Sequence, residues 1–173
     1  MIRSFVIGLL STLVLPAMLA CDKLPGPDPS GQTGKEQKEG QENHGNNNSD
    51  ETDMPETIKI TVSGTTLPVQ IENNAATRAL VAALREAPIT YEAHDYGGFE
   101  KVGALGRSLP ASDTQITTQA GDVILYSGDQ IVLFYGSNSW SYTRLGKMQY
   151  GSLDALKSFL KAGEGNISVT LSL

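Results

Sequence analysis

The sequence predicts a mainly β fold: some seven or eight strands closed into a barrel, with two helices at its ends. Three observations predict it. Between residues 57 and 71 apolar residues alternate on either side of Ser63-Gly64-Thr65, the period-two signature of a hairpin. Between residues 121 and 146 two apolar runs flank a second turn, Ser127-Gly128-Asp129, and the run Ile131-Val132-Leu133-Phe134-Tyr135 is unbroken, as in a central strand covered on both faces. Alternation returns from Ile167 to Leu173. A terminal strand needs an edge to pair with, and the first hairpin offers one that closes the barrel.

The chain has 173 residues, 39% hydrophobic and 18% charged, enough for one domain plus extras. Its charge is uneven: +1 over residues 1–21, −5 over 22–53 and −2 over 54–173. A domain so near neutrality has no basic footprint for a nucleic acid.

Residues 1–20 read as a bacterial export signal, with Arg3 ahead of an apolar core from Phe5 to Leu15. As a helix that core spans about 16 Å, short of the roughly 30 Å of a bilayer interior, so it is a signal and not an anchor. Ala17-Met18-Leu19-Ala20-Cys21 resembles the lipobox of bacterial lipoproteins, and Cys21 is the only cysteine in the chain. The expectation is an exported protein lipidated at Cys21 and held on the cell membrane or outer membrane, since acyl chains contribute about 0.8 kcal/mol per buried methylene. The domain then has no disulfide and is stable on packing alone.

Residues 21–55 supply the lipidated cysteine and a linker. From Asp22 onward the segment is rich in Gly, Asn, Gln, Glu and Pro, with the run Asn46-Asn47-Asn48 and no aromatic residue. Too little apolar area is available to offset the entropy of ordering, which predicts a disordered tether spanning on the order of 30 Å. His44 lies there without a second metal ligand at useful spacing.

The predicted domain covers residues 56–173. After the first hairpin, whose Pro68 implies a free edge or a bulge, Asn73 or Asn74 caps a helix running to Glu86. Its buried stripe is Ala76, Leu80, Ala83, Leu84 and Ala87, with Arg78, Arg85 and Glu86 outside, and Pro88 ends it. Ile89–His94 reads as a strand. From Asp95 to Pro110 Gly97, Gly98, Gly103 and Gly106 imply sharp turns or positive φ, at a spacing that matches no phosphate-binding loop. Ser112-Asp113-Thr114-Gln115 has the form of a capping box, but no amphipathic run follows, so a polar loop is expected. Asp122–Tyr126 and Gln130–Tyr135 form the second hairpin, Gly136–Arg144 a polar loop holding the only tryptophan, and Leu145–Tyr150 a short strand. Ser152–Lys161 reads as a helix burying Leu153, Leu156, Phe159 and Leu160.

The segments D-Y-G-G-F-E-K-V-G, R-S-L-P, G-D-V-I-L-Y and I-V-L-F-Y-G-S-N-S-W-S-Y-T-R-L-G-K, all within residues 95–147, resemble the bacterial cyclophilin-like domain family. The resemblance extends over about residues 57–173 and implies a closed eight-stranded barrel capped by two helices. It implies no particular reaction. True cyclophilins are peptidyl-prolyl isomerases whose signature sets an arginine five residues before a phenylalanine and eight before a glutamine, ahead of a Gly-Asp pair. Here Arg107 is the only arginine in the corresponding loop; Ser112 and Gln115 follow at those spacings, and Gly121-Asp122 comes later than the pattern requires. The arginine must donate hydrogen bonds to the twisting prolyl amide and the phenylalanine floors the proline pocket, so Arg107 alone is a weak catalytic candidate.

Tyr96, Phe99, Trp140, Tyr142 and Arg144 are the candidate ligand-binding residues, an aromatic cleft with one cation suited to a peptide or a flat molecule. The competing reading is a packed aromatic cluster beside the barrel; Trp140 among serines favours a site. His94, Asp95 and Glu100 have the residue types of an acid–base pair or a metal cluster, but a lone histidine beside an aspartate at a strand end reads as structural. No G-x-S-x-G elbow is present. The sequence thus points to a lipid-anchored envelope protein whose barrel binds a ligand or peptide without catalysis, with no cofactor and no metal. The alternatives are a divergent prolyl isomerase, or an accessory module to a flavodoxin-type redox protein, since relatives of the family stand beside such domains.

Overall fold

A computed structural model describes residues 54–173. The expected signal peptide, the expected lipidation site Cys21 and all but the last two residues of the expected linker lie outside them. The described residues form β1 (Thr57–Val62), β2 (Thr65–Ile71), α1 (Ala75–Glu86), β3 (Ile89–Tyr96), β4 (Glu100–Ala104), β5 (Thr114–Thr117), β6 (Asp122–Tyr126), β7 (Gln130–Phe134), β8 (Ser139–Met148), α2 (Leu153–Phe159) and β9 (Ile167–Ser172).

Eight strands close an antiparallel barrel in the order β2-β1-β9-β3-β4-β7-β6-β8, with β8 pairing back onto β2. β9 lies between β1 and β3, the first hairpin giving it the expected edge. β5 lies outside the ring, paired with the first half of β8 from Thr114↔Tyr142 to Thr117↔Ser139. Pro68, which has no N–H, sits where β2 pairs with β1; its carbonyl accepts from Gln149 N at 2.8 Å just beyond the β2–β8 ladder.

The interior is filled from alternate positions: Ile58, Ile60 and Val62 of β1, Val123 and Leu125 of β6, Ile131 and Leu133 of β7, and Val169 and Leu171 of β9. Each such side chain contributes roughly 1.5–3 kcal/mol by leaving water. Leu80, Val81 and Leu84 of α1, Leu156 of α2 and Leu160, which caps α2, join the same cluster. A helix reaches the inside of a closed barrel only through a mouth. The connections put α1, between β2 and β3, across one mouth and α2, between β8 and β9, across the other. Asn74 caps α1: its Oδ1 accepts from Thr77 N at 3.0 Å and its Nδ2 donates to the Arg144 carbonyl at 2.7 Å, tying the helix start to β8.

Several expectations need correction. Ala87 is exposed, because the helix stops at Glu86 and Ala87 is already extended; Val81 takes the place in the stripe. Leu153 is exposed, being the first residue of α2 after its Ser152 cap. The glycine-rich stretch contains β4: Gly97, Gly98 and Gly106 have positive φ, but Gly103 is a strand residue. A Cβ on Gly103 would lie 2.2 Å from the Glu92 carbonyl, so glycine there lets β4 close on β3. The polar loop around Thr114 holds β5, and the loop assigned to Gly136–Arg144 is strand from Ser139 onward.

β8 also carries an extra residue. Val123 faces Gly146 while Ile124 faces Arg144, leaving Leu145 unmatched, a β-bulge. It lets Leu145 and Met148, three apart, both enter the interior cluster.

Candidate functional site

Along β3, β4, β6, β7 and the first half of β8 the outward residues carry even numbers, since successive side chains of a strand alternate faces. Here the outside is also packed. Val102, Ile124, Val132, Phe134 and Tyr142 form a second buried cluster, with Phe99, Ile116 and Tyr126 against it. Its rings are in contact: Phe99 stacks on Phe134 with centroids 6.2 Å apart, and Tyr142 meets Phe134 and Tyr126 edge-on at 5.9 and 5.8 Å, arrangements that complement ring quadrupoles. This is what covers the second face of β7.

Above this floor lies a groove of about 430 Å³. His94 and Tyr96 reach it from β3, Glu100 from β4, Tyr126 from β6, and Trp140 and Tyr142 from β8. Tyr96 is 61% exposed and Trp140 56%. Asn138 also lines the groove and donates through Nδ2 to the Tyr142 hydroxyl at 3.0 Å. Glu100 differs from the rest. It faces Tyr96 and Phe134 across its two ladders and is only 6% exposed. Its Oε2 is buried without a hydrogen-bond partner, and burial pushes the carboxyl up to about 7.

Asp95, one residue from both His94 and Tyr96, faces the other way. Its Oδ2 pairs with Lys101 Nζ at 2.8 Å and accepts from Gly165 N at 3.0 Å, and its Oδ1 accepts from the Tyr135 hydroxyl at 3.0 Å. Burial works against its charge, but Lys101, the Gly163 and Gly165 amides and Tyr135 together hold it down to about 2. The ammonium of Lys101 is wholly buried and also donates to the Gly165 carbonyl. The barrel wall therefore divides His94 and Glu100 from Asp95, and no metal-binding group of three such residues occurs among the described residues.

Of the expected binding residues, Tyr96, Trp140 and Tyr142 meet in the groove, and Phe99 lies in the packed cluster beneath. Arg144 belongs elsewhere: with Glu72, Asn74 and Thr114 it lines a separate hollow of about 360 Å³, and its Nη2 lies 3.2 Å from the buried Asp122. Arg107 is exposed between β4 and β5 and does not line the groove. Tyr126, Gln130 and Asn138 were not anticipated as lining residues; the outward phase of β6 and β7 was the available signal for the first two.

The sequence model of the cyclophilin-like family matches residues 60–172, from β1 to β9. The chain belongs to the cyclophilin-like family. No curated protein matches it. Among solved structures it is similar to McbB in complex with tryptophan, at 14% identity and a TM-score of 0.48, covering 66% of this chain and 44% of McbB. It is also similar to a hypothetical protein of Archaeoglobus fulgidus solved in solution, at 18% identity and a TM-score of 0.47, covering 67% of this chain and 92% of that one. The groove thus lies on the outer wall of a cyclophilin-like barrel, and both mouths of that barrel are filled by helices.

Proposed function

We propose that this protein is a lipid-anchored, non-catalytic binding module that takes a small molecule or peptide in the groove on the outer wall of its barrel. One observation carries the reading: the Glu100 carboxylate is buried without a partner for Oε2 in a groove whose exposed aromatics are Tyr96 and Trp140. An orphaned buried oxygen costs roughly 1–3 kcal/mol, which a bound donor would recover. The volume falls in the range of about 300–1,000 Å³ usual for small-ligand sites. Aromatic rings offer a large contact area with little side-chain entropy to lose. No arginine or lysine lines the groove, so it has no counterpart of the cation that an isomerase aims at a twisting prolyl amide; this supports a binding role.

Trp140 is the only tryptophan, so its emission reports occupancy directly. Titration with a panel of short peptides and small aromatic molecules is expected to shift that emission, and Tyr96→Ala to weaken the response; a panel without effect overturns the reading. Isomerisation of a proline peptide is expected to stay at its spontaneous rate, and an acceleration abolished by Arg107→Ala would put an isomerase in its place. For the anchor, Cys21→Ser is expected to move the protein from the membrane to the soluble fraction.

A further inference from the structure

We infer that the occupant of the outer-wall groove presents a cationic nitrogen, an ammonium or guanidinium, to Glu100 and the surrounding ring faces. The inference rests on the binding role proposed above and specifies its chemistry. Apart from the imidazole of His94, the strong electrostatic features of the groove share one sign. Glu100 contributes a carboxylate that is buried and lacks a partner at Oε2. Four aromatic residues, Tyr96, Tyr126, Trp140 and Tyr142, line the same space, and the face of each ring is the negative pole of its quadrupole.

Among the described residues no lysine or arginine answers that charge. Lys101, next in the chain, points to the opposite face of the wall, where it pairs with Asp95, and the nearby Arg144 is held by Asp122 and Glu72 in the other hollow. Tyr142, whose hydroxyl could have turned to Glu100, is instead bonded to Asn138. A neutral donor would satisfy the lone oxygen of Glu100 but gain little from the rings. An anion would be repelled by both. A cation gains from the carboxylate through a charge-assisted hydrogen bond and from the rings through cation–π attraction.

Such a nitrogen reaches the groove either on a free amine or on a lysine or arginine of a peptide. Two matched pairs separate these sources and isolate the charge: phenethylamine against 2-phenylethanol, and N-acetyl-Gly-Lys-Gly-amide against its norleucine analogue. Each is titrated into the full-length protein at pH 8, above the value of about 7 to which burial raises Glu100, and followed by Trp140 emission. In at least one pair the charged member is expected to bind tenfold or more tightly than its neutral partner, and the pair that responds identifies the source. Glu100→Gln, which keeps the shape and removes the charge, is expected to bring that ratio to about one while the neutral member still binds. If neutral members bind as well as charged ones, or if Glu100→Gln leaves the ratio intact, the cationic occupant is overturned and the groove remains a binding site. If none of the four compounds shifts Trp140 emission, the binding role falls, and this inference with it.

Discussion

Asp95 and Glu100 stand on the same β3–β4 hairpin, on opposite sides of one wall. Inside, Asp95 receives the ammonium of Lys101, the Tyr135 hydroxyl and the Gly165 amide. Outside, Glu100 is buried by rings that offer its Oε2 no donor. Their acidities diverge accordingly, Asp95 falling to about 2 and Glu100 rising to about 7. Burying a carboxylate is unfavourable in either place. For Asp95 the fold itself supplies the compensation, and its partners come from β4, from Tyr135 just past β7 and from the loop before β9, so the network fastens the α2 mouth. For Glu100 the fold supplies none. A buried group that stability alone does not explain, beside open space, is the ground for the binding role proposed for this groove.

The comparison can be broken first at Asp95. Asp95→Asn leaves the fully buried Lys101 ammonium without its anion, and losing one partner of a buried pair costs about 3–5 kcal/mol; chemical unfolding at neutral pH is expected to show a loss of that order. Lys101→Met is expected to cost less, because Asp95 keeps Tyr135 and Gly165. A Lys101→Met that costs as much as Asp95→Asn would mean that Tyr135 and Gly165 do not compensate Asp95 once the ammonium is gone.

Acid tests the same group without mutation. Its folded acidity of about 2 lies below the ordinary 3.8, so the unfolded chain takes up the proton first as pH falls. The contribution, about 2 kcal/mol, is complete above pH 4 and is lost as pH falls from about 4 towards 2. In Asp95→Asn that part of the acid-unfolding profile is expected to be absent.

Glu100 reverses the sign. Its folded value of about 7 lies above the ordinary 4.5, so the folded state holds the proton longer and stability declines as pH rises from about 4.5 through 7. Glu100→Gln is therefore expected to be the more stable protein at pH 8, by about 3 kcal/mol, and to lack that decline. A variant less stable than the parent would show that Glu100 has a structural partner after all. Smallest is Trp140→Ala. With its ring more than half exposed, the change is expected to stay within about 0.5 kcal/mol of stability, while binding of whichever cationic probe responds, followed by calorimetry, is expected to be lost.

What the sequence revealed of this arrangement follows from where each strand finds its partners. β1, β2, β6, β7 and β9 announce themselves because their apolar residues alternate or run unbroken. β4 does not: Glu-Lys-Val-Gly-Ala puts a charge on each face, and both charges are buried. Lys101 is tolerable there only because Asp95 and Gly165 reach it from β3 and from sixty-four residues downstream, a coincidence no local pattern records. β5 is four residues of edge strand with only Ile116 apolar, and the first half of β8 reads as loop because its ladder partner is β5 itself. In the groove, Tyr96, Trp140 and Tyr142 were legible as aromatics in polar surroundings. Glu100 drew notice only as a metal or acid–base candidate beside Asp95, since its isolation depends on Phe134, which reaches it only through the β4–β7 ladder.

The place of β9 between β1 and β3 has a bearing on how the barrel is assembled. Thr170 pairs with Thr61 on one side and Thr90 on the other, so the slot stays open until more than a hundred residues of chain are available to fill it. Such distant pairing slows folding of small β domains to milliseconds or longer. Until then β1 and β3 each present an unpaired edge, the kind of surface on which chains add to one another. The residues from Ile167 to Ser172 act as a latch, and the interval before it closes is when this domain is most open to misassembly.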